Sequence, residues 1–212
     1  MNFSGKILGY DPGGNGVHGV AIATLICNKV KDLEVQTLAT AEDVIKLASA
    51  APRLDVLAID TLTALSTGLS GWRPADRWLK KNYKEITHSI ASANSLFGSM
   101  GLNGISVMAE LRKQDPSIRI TETHPKVLYF ELSGCKYDYR YSAQKMNHLL
   151  TKLLGIQVHT SNDHEWDAVA SVYSAVMGYS GQWHNNLHAL PVEETERLVK
   201  PVGDTEYWWP SI

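Results

Sequence analysis

Residues 6–26 read KILGYDPGGNGVHGVAIATLI, and the order of apolar runs and turn residues within them decides the fold. Lys6 to Tyr10 is a short apolar run ending on Asp11. The PGGNG that follows supplies turn chemistry, since proline fixes one torsion while glycine and asparagine permit positive φ. A second apolar run, Val17 to Ile26, turns the pair into a hairpin. After the charged turn NKVKD, Leu33 to Leu38 adds a third strand. Thr40 then caps a helix over Ala41 to Ala50, with Asp43 in its first turn and Pro52 stopping it. LDVLAID, Leu54 to Asp60, is nearly continuous in apolar residues, as in a strand covered on both faces. Passage from the third strand through a helix to this one is the right-handed crossover of an α/β sheet. The expectation is a mixed sheet of five to six strands, opening β-β-β-α-β and flanked by helices.

Farther along, Thr61 to Pro74 is a Gly/Ser/Thr-rich loop carrying Trp72. Helical periodicity runs from Ala75 through Ser99 with an interruption, and again over Ile105 to Lys113. Ile118 to Glu122 reads as a strand, and Pro125 suits a first helical position because its missing N–H would have no partner there. Ser142 to Leu154 is an amphipathic helix closed by Gly155, Ile156 to His159 a last short strand, and Glu165 to Met177 a long helix capped by Asn162 or Asp163. Residues 1–181 are expected to form one domain. Residues 182–212 read as a tail packed back on it through Trp208 and Trp209.

The 212 residues are 44% hydrophobic, enough for a real interior. No run approaches the ~18 apolar residues of a membrane span, and MNFSGKILGYD has no signal-peptide pattern. Cys27 and Cys135 match neither a disulfide framework nor a zinc site, so two reduced thiols in a cytoplasmic protein are expected. Twenty basic against 22 acidic side chains give a net charge of −2 and no global footprint for nucleic acid. Local basic stretches remain at Arg73, Arg77, Lys80, Lys81 and Lys84, and at Lys136, Arg140 and Lys145; each is more often a solvated face than a nucleic-acid surface.

The acidic residues are more informative. Asp11 ends the first strand, Asp60 the central one and Glu122 a third, while Asp167 lies on the last helix one turn after Asp163. If the first and fourth strands are parallel neighbours, Asp11 and Asp60 emerge at the same edge. Carboxylates so placed repel one another, which raises a pKa or recruits a cation. Hard oxygen donors suit Mg²⁺ or Mn²⁺, and such ions can activate water and stabilise a leaving oxygen in phosphoryl transfer. The catalytic candidates are Asp11, Asp60 and Asp167, and the metal candidates are these with Glu122 and Asp163. Each has a plainer reading: a turn residue at Asp11, a cap at Asp60 or Asp163, an edge charge at Glu122. Asp167 is followed by Ala-Val-Ala on an apolar face, where a charge needs a reason. Arg73, Arg77 and Lys126 are candidate phosphate contacts. His124 and His164 are the histidines nearest the acids and read more readily as satisfied surface residues; the exposure of His18 is open.

ILGYDPGG, VLAID and HEWDAVASVYSA together resemble the ribonuclease H-like superfamily over about residues 6–180. GWRPADRWLKK, NSLFGSM and ETHPKVLYFELSG make the chain similar, within it, to the DUF429 group of predicted nucleases. The resemblance implies a metal-dependent nuclease in which Asp11, Asp60, Asp167 and Asp163 match the superfamily's acids. Glu122 matches the acid of the group's own Glu-x-x-Pro element, not a general nuclease ligand. Two other readings use the same residues differently. In the first, the DPGGNG turn cradles phosphate in a nucleotide-binding phosphotransferase of the actin or sugar-kinase type, though those enzymes use two such domains. Trp72, Trp78, Trp183, Trp208 and Trp209 are anchor types for a non-catalytic interaction module, or for a homo-oligomer formed through the tail, and are equally normal core residues.

Overall fold

In the computed structural model, which describes residues 2–14, 16–51, 53–92, 98–193 and 195–210, β1 (Gly5–Asp11) runs through the middle of a five-stranded sheet. β2 (His18–Ile26) pairs with it antiparallel, and β3 (Lys29–Leu38) pairs with β2. On its other side lie β4 (Val56–Ile59) and then β6 (Arg119–Glu122), both parallel. The intervening β5 (Leu65–Ser66) forms a separate two-stranded ribbon with β8 (Leu198–Val199). The order β3-β2-β1-β4-β6 is the mixed α/β sheet that the opening runs imply.

The two-residue period of a strand sorts β1 onto two cores. Ile7, with Ala21, Ala23, Val56 and Ala58, faces the layer built by α4 (Pro125–Ser133), α5 (Tyr139–Leu154) and α6 (Asp163–Tyr179). Leu8 and Tyr10, with Val20, Leu57 and Ile59, face α1 (Ala41–Ala50) and α3 (Gly98–Gln114). Coverage on both faces explains why β4 is apolar without alternation. Thr40 caps α1 by accepting from Asp43 N at 3.1 Å, and Asn162 caps α6 by accepting from Glu165 N at 2.9 Å.

α6 lies on the sheet at a distance only glycine allows. A Cβ on Gly9 would stand 2.0 Å from the Ala168 carbonyl oxygen, and one on Gly19 would stand 2.0 Å from that of His164. Backbone cannot move aside as a side-chain tip can. Gly9→Ala is therefore expected to cost about 3 kcal/mol, the upper end for overpacking, measured by urea unfolding.

Residues after α6 return across the sheet edge. Glu206 bridges Thr121 in parallel, and Glu206 N donates to Ile120 O at 3.0 Å, so this segment covers the outer edge of β6. β7 (Asn185–Asn186) pairs with β9 (Trp208–Trp209). Trp209 is buried and its Nε1 donates to Tyr83 Oη at 2.7 Å, while the Trp208 ring lies against Gly178 and Tyr179 of α6.

Several local readings change. Ile156–His159 forms no strand; Val158 N instead donates to Thr151 Oγ1 at 3.0 Å. The outer edge of β6 is taken by the segment around Glu206. The periodicity from Ala75 resolves into α2 (Pro74–Asn82) and a 3-10 segment, Lys84–Ser89, kinked at Ile86. α3 begins well before Ile105, at Gly98. The turn residue Asn15, the helix stop Pro52, and residues 93–97, which include most of NSLFGSM, lie outside the described residues. Among the described residues no helix is long and apolar enough to cross a membrane.

Candidate active site

Register brings the acids to one edge. Tyr10 pairs with Ile59 and Ile59 with Glu122, so β1, β4 and β6 end side by side. Asp60 N continues the ladder to Tyr10 O at 3.0 Å, and Thr123 N reaches Ile59 O at 2.9 Å. α6, held against Gly9 and Gly19, brings His164 and Asp167 to the same edge. One turn apart, these two share a helix face. His164 Nδ1 stands 2.6 Å from Asp11 Oδ2. Tyr137 Oη donates to Asp167 Oδ1 at 2.8 Å, its ring pinned edge-on by Tyr129 and Trp166. Asp11 and Asp167 are buried and Asp60 is half-buried. Among the described residues nothing donates a hydrogen bond to the Asp60 carboxylate.

The three carboxylates act on one another through space. Burial, and then the Asp11 charge, hold Asp60 well above the usual carboxylate range. Burial, Asp11 and Asp60 do the same to Asp167, and the Tyr137 hydrogen bond only partly opposes them. Lys126, at the start of α4, is the cation that draws both back down. Burial would lower its own pKa, but Asp167, Asp60, Asp11 and Asp163 outweigh that and raise it. The hydrogen bond to Asp11 raises His164. Burial pushes His124 down to about 4, leaving it a neutral imidazole at pH 7.

Among the described residues no group of three or more His, Cys, Asp and Glu stands arranged to hold a metal ion. The chemistry of the donors nonetheless fits a hard divalent cation. Asp11, Asp60 and Asp167 stand along one edge with their repulsion only partly offset by Lys126, and among the described residues Asp60 has no protein donor. Asp163 is exposed in the first turn of α6, and the cap is Asn162.

Glu122 and Arg73 belong to a different arrangement. Arg73, buried immediately before α2, donates through Nε and one terminal nitrogen to Asp76 at 2.9 and 2.7 Å. It donates to Glu122 at 2.7 and 2.6 Å and to Ala64 O at 3.1 Å. All five guanidinium N–H groups are thereby taken. Glu122 also accepts from Thr63 N at 2.8 Å. Burial would raise the Glu122 carboxyl, but the adjacent guanidinium prevails and holds it far below the ordinary range. Arg77 turns toward the C-terminal segment, pairing with Glu196 and donating to Ser70 Oγ at 2.6 Å. Of the three candidate phosphate contacts, Lys126 is the one that faces the carboxylates. Sequence reading gave too little to His164 and nothing to Tyr137. The spacing His164-x-x-Asp167 was the available signal for the first.

Two depressions adjoin the acids. A cleft of about 430 Å³ runs from Asp60 and Lys126 over Thr61 and His124. A shallower groove of about 640 Å³ passes Lys126, Tyr137, Tyr139, Arg140 and Asn162.

Strand order and flanking helices define a ribonuclease H-like fold. Among solved structures, Thermus thermophilus RuvC is similar at 14% identity and a TM-score of 0.47, covering 83% of this chain and 96% of that one. T. thermophilus RuvC in complex with Holliday junction substrate is similar at 13% identity and a TM-score of 0.50, with the same coverage. At such identities the likeness is one of chain path alone. No protein-family model and no curated protein matches the sequence.

Proposed function

We propose that this chain is a divalent-metal-dependent nuclease that hydrolyses phosphodiester bonds at the edge formed by Asp11, Asp60 and Asp167. The observation that carries the reading is the convergence of three acids on one edge, Asp11 and Asp60 at the ends of the parallel neighbours β1 and β4 and Asp167 on the turn of α6 whose His164 bonds Asp11. The upward shifts of Asp60 and Asp167 agree with it. Asp11, Asp60 and Asp167 would hold Mg²⁺ or Mn²⁺. A bound ion there supplies Lewis-acid polarisation of a phosphoryl oxygen and a more acidic water. Lys126 offers a charge-assisted contact to the phosphate. His164, bound to Asp11 through Nδ1, has Nε2 left to take or give a proton. The groove past Tyr137, Tyr139 and Arg140 gives a strand an aromatic and cationic path.

The related fold seen bound to a Holliday junction substrate makes branched DNA the first substrate to try. The narrower likeness to the DUF429 group rests on sequence phrases, and the proposal does not depend on it. Two free thiols, Cys27 and Cys135, suit a cytoplasmic setting.

Single-stranded, duplex and four-way-junction DNA, with matching RNA, would be incubated with the protein and Mn²⁺. Cleavage of at least one substrate, lost on chelation and in the Asp60→Asn, Asp167→Asn double variant, is the expected result. Cleavage that survives in the double variant would place the chemistry elsewhere.

A further inference from the structure

We propose that the 430 Å³ cleft beside Asp60 is a subsite that receives one nucleobase of the bound strand, with Thr61 and His124 meeting its polar edge. Its place beside a scissile phosphate rests on the nuclease reading above. The volume lies in the ~300–1,000 Å³ range of small-molecule sites. Leu62, Ile90, Ala91 and Met100 supply apolar walls on which a planar ring can lie.

The polar part of the lining separates the candidate occupants. Arg73 lines the cleft, but its donors are all committed to Asp76, Glu122 and the Ala64 carbonyl, and Arg73, Asp76 and Glu122 together carry a net negative charge. An anion is therefore disfavoured inside. A neutral group with hydrogen-bonding edges is not. Thr61 Oγ1 and His124 Nδ1 are buried without a hydrogen-bond partner, although both residues line the cleft. Unpaired buried polar atoms are costly, so each of these two calls for a partner. A hydroxyl that can donate or accept, together with an imidazole nitrogen, can meet the donor and acceptor atoms of a base edge. Because Asp60 and Lys126 also line the cleft, a base seated there leaves its own phosphate at the carboxylate edge. Taking a base out of its stack into such a pocket is an established way for enzymes to reach nucleic acid.

The probes are the four 2′-deoxynucleoside 5′-monophosphates, their ribonucleotide counterparts and 2-deoxyribose 5-phosphate, titrated by NMR. At least one nucleotide should bind roughly 10-fold more tightly than the sugar phosphate, as expected when a base gains stacking and edge contacts. Thr61→Val, which replaces the unpaired hydroxyl with a methyl of the same shape, should reduce that preference about 5-fold without lowering the melting temperature. Ala91→Phe should erase the preference by filling the cleft. Similar affinities for the ribo and deoxy series would mean that the base alone is read, whereas a large gap would assign the subsite to one nucleic acid. Sugar phosphate binding as well as every nucleotide, or a preference unmoved by both variants, would overturn the subsite. Metal-dependent cleavage indifferent to an abasic residue at every position near the cut would also end it while leaving the nuclease reading intact. Base-dependent binding without any cleavage would do the reverse.

Discussion

Asp60→Asn should abolish Mn²⁺-supported cleavage, by on the order of a thousandfold or more in turnover, and should also make the metal-free protein more stable at pH 8. The second effect follows from the direction of the pKa shift. A carboxylate whose folded pKa is raised binds protons more readily folded than unfolded. Its contribution is harmless at pH values below the unfolded pKa and becomes a penalty as pH climbs through the raised value. Asp60 is the cleanest member to change, since burial and Asp11 raise it and no protein donor is lost with it. Asp167→Asn should behave alike, because the amide oxygen can still accept from Tyr137. Asp11→Asn should lose activity without the stability gain, as it gives up the contact with His164. The check is thermal unfolding of wild type and variants at pH 5 and pH 8, where a domain of this size gains about 2–4 °C per kcal/mol. The variant's advantage should be larger at pH 8 and shrink when Mn²⁺ is added to both proteins, because only the wild type is stabilised by it. Full turnover in Asp60→Asn would remove it from the ligand set. Lower stability at pH 8 would mean that its charge is satisfied in a way this electrostatic account omits.

Asp11 and Asp60 were legible because each closes an apolar run, and a β-α-β crossover makes the two strands parallel neighbours with ends on one side. Asp167 was legible as a charge on an apolar helix face. His164 was harder. HEWD fixes its spacing from Asp167, but which side of α6 meets the sheet depends on Gly9 and Gly19, whose meaning appears only when a Cβ is placed on them. The cations show a sharper limit. Arg73 and Lys126 look alike as residues following a strand end, yet one meets two carboxylates and the other remains at the site's mouth. What separates them is Glu122, 49 positions from Arg73 in sequence, and the pairing of β6 with β4 that brings it near. Ile156–His159 illustrates the same dependence for backbone. A β-prone run becomes a strand only where it meets a partner strand, and here Val158 N donates to Thr151 Oγ1 of α5 instead.

Arg73→Met is expected to destabilise the protein by about 3–5 kcal/mol, the cost of breaking a buried ion pair from one side. Against a total stability of about 5–15 kcal/mol for an ordinary domain, that is enough to threaten accumulation of the folded form. Removing the guanidinium strands Asp76 and Glu122, both buried, leaving His188, 3.5 Å from Glu122, as a nearby basic group. It also cuts the tie between the loop after Asp60, α2 and β6, so the segment that borders the carboxylates would loosen even though the Arg73 donors are all committed within the protein. Arg73→Lys should fall between, because an ammonium keeps the charge but cannot serve two carboxylates and a carbonyl as the planar fork does. Pairing Arg73→Met with Asp76→Asn and Glu122→Gln should recover much of the loss, since the uncompensated charges then disappear with their partner. Urea unfolding of the four proteins separates this from the role first expected for Arg73. A phosphate contact would lose substrate affinity while its unfolding midpoint stayed put, and the triple variant would bring no recovery. A midpoint that falls in Arg73→Met and returns in the triple variant assigns Arg73 to the scaffold that holds the active edge in place.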